Sequence, residues 1–126
     1  MLKKSMKFSG DIRAVSAIEF AIASPLIIML LMGLFYLSMC LAVIGSAHYA
    51  VEEGARCASV RTAVCTDDST TIAYAKSHYY GPAPVPTFTY NAAAPCGHSL
   101  SASVNFILDI GLKQFAVPIN AAACFP

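Results

Sequence analysis

Between Phe20 and Val51 the chain carries no Asp, Glu, Lys or Arg. That run is longer than the roughly 20 apolar residues a helix needs to cross a bilayer. A secretory signal has an apolar region of only about 7–15 residues, followed by a small-residue cleavage site. Here the run is longer, and its far end continues as helix-forming sequence. The stretch from Ala14 to Val51 therefore predicts a retained membrane helix. Pro25 lies inside it and removes a backbone donor, which membrane helices accommodate with a kink.

Charge placement predicts an orientation. Lys3, Lys4, Lys7 and Arg13 precede the helix against Asp11, which puts the N-terminus in the cytoplasm and the C-terminus across the membrane. The organisation expected is a basic cytoplasmic leader (1–14), a long helix (15–62, membrane-spanning over about 20–44) and a small extracytoplasmic head (63–126). With 126 residues in all and a net charge of +1, there is room for one small domain beyond the helix. No basic tract follows residue 13, so nothing points to nucleic acid.

Cysteine usage agrees with that orientation. Cys40 lies in the apolar run, whereas Cys57, Cys65, Cys96 and Cys124 would all face an oxidising compartment. Four thiols allow two bridges and three connectivities. In an unbroken helix the Cα atoms of Cys57 and Cys65 would lie about 12 Å apart, beyond the usual 4.4–6.8 Å of a disulfide. That pairing needs the helix to end between them, and the spacing does not choose between the other two.

The emerging helix carries a ridge of small residues, Ala42, Ser46, Ala50, Gly54 and Ala58, at every fourth position. Together with Pro25 and Gly33 they form the candidate packing surface. The ridge suits close approach of a second helix from a neighbouring subunit; the alternatives are that it docks against this chain's own domain or is a chance row in an Ala-rich helix. Glu52 and Arg56, in the favourable i,i+4 order, mark the exit into water.

Beyond the helix, Thr66-Asp67-Asp68-Ser69 is capping chemistry. Ser69–Tyr79 reads as a short helix ended by Gly81, and Gly81–Pro86 as an extended connector. Thr87–Tyr90 and Ser99–Phe106 alternate with the strand period, the second placing Leu100, Ala102, Val104 and Phe106 inward. Residues 91–98 supply a turn, and Phe115–Ile119 a third strand held to an edge by Pro118. The fold class expected is α+β: one long N-terminal transmembrane helix running into a small domain with a short helix and a two- or three-stranded antiparallel sheet.

No catalytic set emerges. His48, His78 and His98 are scattered, Cys96-Gly97-His98 matches no zinc spacing, and Asp67-Asp68 reads as caps rather than a dyad. Neither a phosphate loop nor a nucleophile elbow is present. The expectation is a chain that is not an enzyme and takes no cofactor or metal.

Glu19 stands out at the apolar border. One reading is interfacial: Arg13 is six residues back, about 9 Å along a helix, within reach of headgroups and water. A second reading comes from a resemblance. Ala14-Val15-Ser16-Ala17-Ile18-Glu19-Phe20-Ala21, then Pro25, Gly33 and Glu53-Gly54-Ala55-Arg56, resemble the TadE-like pseudopilins of Flp/Tad pilus systems over roughly residues 13–60. The resemblance implies cleavage between Ala14 and Val15 by a prepilin peptidase, although Ala14 stands where the family pattern has Gly. It also implies that Glu19 meets the freed amine in an assembly. The protein would be a minor pilin or pseudopilin of the inner membrane with a periplasmic head. Its partners would be other pilins, the inner-membrane assembly platform, the peptidase and membrane lipid. The alternative is an unprocessed, membrane-anchored periplasmic binding module.

Overall fold

An unbroken supply of helix-forming residues carries the first element, α1, from Asp11 to Val60, with Pro25 inside it. The computed structural model describes residues 11–109, 111 and 113–126, with side chains from Val15 onward. Residues 1–10 of the expected leader lie outside the described residues, and Asp11–Ala14 are already helical. After α1 come α2 (Asp68–Ser77), β1 (Thr87–Ala94), β2 (Gly97–Asp109) and β3 (Gln114–Phe125). This is the expected α+β class. The chain divides into two units, Met1–Phe35 and Tyr36–Pro126.

Within the second unit the strands form an antiparallel sheet in the order β1-β2-β3. Leu100, Ala102 and Phe106 face inward as their alternation predicts, and Val104 is half-buried among the same apolar groups. The opposite face of β2 carries Ser99, Ser101, Ser103 and Asn105. The inner face packs on α1 in two places. Ala47, Ala50, Val51 and Ala55 meet Phe88, Leu100, Ala102 and Ala121, with Ala75 from α2 completing the cluster. Nearer the N-terminal end of that helical segment, Val43 meets Phe106 and Ile119, flanked by Met39, Cys40 and Ile44. Burying an apolar side chain the size of Leu or Phe contributes about 1.5–3 kcal/mol, and the fully buried Leu100 sits at the centre of the first cluster.

The small-residue ridge is used inside the chain. Ala50, Gly54 and Ala58 are buried against the head, Ser46 is half-buried and Ala42 exposed. The apposition is close at Gly54. A Cβ there would lie 2.4 Å from the Leu100 side chain and 2.9 Å from the Ala75 Cβ.

Three expectations are corrected. The geometric case against joining Cys57 to Cys65 assumed a helix running through both. Instead α1 stops at Val60, and the amides of Val64 and Cys65 donate to the Arg61 carbonyl. That turn brings the two Cα atoms to 5.8 Å, and the disulfide forms. The second bridge is therefore Cys96–Cys124. On loop-closure entropy the two contribute about 2.5 and 3.6 kcal/mol for separations of 8 and 28 residues. The short helix ends at Ser77 rather than Tyr79, with His78 and not Gly81 closing it. Gly81 instead serves close packing, since a Cβ would lie 2.3 Å from the Ser46 hydroxyl oxygen. Finally, β1 and β2 extend into the expected 91–98 turn, leaving Pro95-Cys96 as its tip, and β3 runs on past Ile119 to Phe125.

Two measurements follow. Gly54→Ala should destabilise the head by about 1–3 kcal/mol from overpacking, because neither the buried Leu100 nor the α2 backbone carrying Ala75 has room to yield. Gly45→Ala, which meets open space, should instead stabilise by up to about 1 kcal/mol through helix propensity. Thermal unfolding in detergent reads both. Peptide mapping without reduction should recover 57–65 and 96–124 as linked pairs and Cys40 as the free thiol.

Candidate assembly segment and head surface

α1 is, among the described residues, the one helix long and apolar enough to cross a membrane. Its first unit presents large apolar side chains outward: Ile18, Phe20, Ile22, Leu26, Ile28, Met29, Leu30, Leu34 and Phe35 are all exposed. Water would oppose such a surface, whereas lipid or neighbouring apolar helices would accept it. Gly33, with nothing near a would-be Cβ, lies in the same segment as Pro25.

Glu19 is exposed within that surface, flanked by exposed Val15, Ile18, Phe20 and Ile22. The Ala14–Val15 bond lies inside α1, one turn before Glu19. A carboxylate among hydrocarbon groups costs about 2.5–3.5 kcal/mol on insertion scales unless a partner or water relieves it.

The other predicted positions belong to the second unit. Glu52 and Arg56 are both exposed one helical turn apart. Arg56 also lines a shallow cleft with Glu53, Cys57, Val60, Arg61 and Tyr74, in which the Arg61 guanidinium donates to the Tyr74 hydroxyl at 3.1 Å. Tyr74 stacks on His78 with ring centroids 4.2 Å apart. His78 Nδ1 lies 2.9 Å from the Tyr74 carbonyl and 3.1 Å from the Ser77 hydroxyl. His98 pairs with the Tyr90 hydroxyl, and burial, followed by the negative charge of Asp68, pushes the Tyr90 phenol above its ordinary range. His48 is exposed on α1. The structure thus spreads the three histidines over separate places.

The sequence reading did not anticipate the end of the β2–β3 hairpin. There the Tyr36 hydroxyl donates to the Asp109 carbonyl at 3.4 Å. The Asp109 carboxylate accepts from the Gln114 side chain at 3.0 Å and from the Gly111 amide at 2.8 Å, and these bonds, Gln114 first, hold it below the usual carboxylate value. Nothing local in the sequence marks this pairing, which spans 73 residues.

Residues 14–56 match the family model of TadE-like proteins, the family that the ordered motifs resemble. The match covers α1 from Ala14 to Arg56, while α2 and all three strands lie outside it. Comparison with curated proteins gives no match, and comparison with solved structures gives none.

The N-cap of α2 yields a pH prediction. The Asp67 carboxylate accepts from the Thr70 amide at 2.8 Å and the Ser69 hydroxyl at 2.9 Å, within a capping box shared with Thr70. These bonds, the Thr70 amide first, hold its pKa below the ordinary value. The folded state then binds fewer protons, so the contribution is complete above the unfolded value of about 3.9 and is lost as pH falls through the folded one. Asn caps a helix as well as Asp. Asp67→Asn should therefore leave stability near pH 7 almost unchanged and flatten its decline below about pH 4. Thermal unfolding by circular dichroism across that range measures the slope.

Proposed function

We propose that the chain is a minor pilin or pseudopilin that acts in building or priming a Flp/Tad-type adhesion pilus, held in the inner membrane with its head on the periplasmic side. The observation that carries this reading is Glu19, exposed in the apolar surface of α1 within the segment that matches the TadE-like family. Prepilin peptidase cutting after Ala14 would place a free amine on Val15, and Glu19 of one subunit would pair with that amine on the next. The pair neutralises a carboxylate that is otherwise costly among hydrocarbon, so docking of subunits and relief of that cost are one event. The subunit is non-enzymatic and uses no cofactor. Its partners are other pilins and the assembly platform.

A crossing over Val15–Phe35, about 30 Å of helix at 1.5 Å per residue, matches the thickness of a hydrocarbon core. The packing of Met39, Cys40, Val43 and Ile44 against Phe106 and Ile119 supports a crossing that ends before the expected residue 44. The lysines of the leader favour the cytoplasmic side for the N-terminus.

Replacing Glu19 with Ala or Gln tests the pairing. A charge-assisted bond of about 1.5–3 kcal/mol corresponds to at least tenfold weaker association, read as loss of surface pili and of co-purification with other pilins. Undiminished assembly rejects the role given to Glu19. N-terminal sequencing of the native protein should find Val15 first; an intact leader favours the membrane-anchored binding module.

A further inference from the structure

The outer face of β2 changes character along its length. Ser99, Ser101, Ser103 and Asn105 point outward, and then Ile107 takes the same face, 57 % exposed. On β3, Phe115 occupies the register of the inward residues Val117, Ile119 and Ala121, yet it is 45 % exposed. The apolar cluster against α1 reaches Leu108 and Val117 but does not take in Phe115. The end of the hairpin is thus apolar on both faces, where a hairpin in water would be polar on one. The Lys113 ammonium lies 5.4 Å from the Phe115 ring centroid, so a cation on a long stem accompanies the exposed aromatic.

The position of this end is what gives it meaning. Asp109, the last residue of β2, is tied to Tyr36. Tyr36 directly follows Phe35, the last residue of the first unit, and lies within the run of outward apolar side chains that continues to Leu37 and Leu41. We infer that the end of the β2–β3 hairpin, through Ile107, Phe115 and Lys113, rests in the headgroup layer of the bilayer that α1 crosses. Phe and other apolar side chains of an interfacial segment bury at the boundary of headgroups and acyl chains, and Lys reaches its charge from apolar surroundings to lipid phosphates. Tyr36 adds an aromatic at the same level. The head then meets the membrane at two places, the covalent exit of α1 and a lipid-seated hairpin. This inference rests on the membrane-anchor reading of α1.

The chain contains no Trp, so single substitutions make clean reporters. Full-length Phe115→Trp, Leu30→Trp and Val60→Trp are reconstituted separately in phosphatidylcholine/phosphatidylglycerol vesicles with and without brominated acyl chains. Val60 is 72 % exposed at the far end of α1, about 36 Å of helix from Tyr36. The expected result is blue-shifted emission and bromolipid quenching for the Phe115 and Leu30 reporters, with water-like, unquenched emission for Val60. Quenching at Leu30 without quenching at Phe115 rejects the hairpin contact and leaves the anchor intact. Absence of quenching at Leu30 ends both. A Phe115 blue shift that disappears as protein is diluted into excess lipid assigns the hairpin to a second copy of the chain and overturns the lipid contact.

Discussion

The head depends on how closely α1 approaches β2. A three-stranded sheet has one face to bury, and it is independently stable only when that face is covered. Here the cover is a helix surface made mostly of Ala and Gly, so that backbone rather than side chains sets the separation. Gly54, opposite Leu100 and Ala75, leaves no room for a Cβ, and Ala47, Ala50 and Ala55 belong to the same buried cluster. The bridges secure the margins of this interface. Cys57–Cys65 binds the segment after α1 back to the helix, and Cys96–Cys124 ties the β1–β2 turn to the end of β3.

The same docking divides α1 chemically. From Met39 onward one side of the helix belongs to the head's core; large apolar side chains face outward from Val15 as far as Leu41. The TadE-like match runs across this division and stops at Arg56, so the family signal lies in the helix and not in the sheet. The matched segment holds Glu19 and most of the rod, and the sheet and the Cys96–Cys124 bridge lie beyond it.

Where periodicity was strong, the strands were legible. Ser99–Phe106 alternates cleanly and appears as β2 with the expected face inward. Asn120-Ala121-Ala122-Ala123 carries residues depleted in strands, yet it continues β3, because pairing with Ser103 through Leu100 satisfies its backbone and buries Ala121. The capping stretch Thr66–Ser69 was visible, and within it Asp67 is the cap, a short-range feature that needs only a neighbour three residues on. The end of α1 was legible to within two residues, expected at 62 and found at Val60. The turn after it was not, because no local pattern shows that it brings Cys65 back to Cys57.

The amino-acid order by itself determined that a charge-free helix must find a non-aqueous surface, that Glu19 stands at its border, and that thiols lie beyond it. These follow from composition and from spacing along one helix, which need no distant contact. Tertiary structure decided which face of α1 is covered, which cysteines meet, and that Asp109 comes to rest on Tyr36. Each of those is a contact between residues far apart in the chain. Such contacts are selected by the free energy of packing the sheet as a unit, which no local pattern encodes.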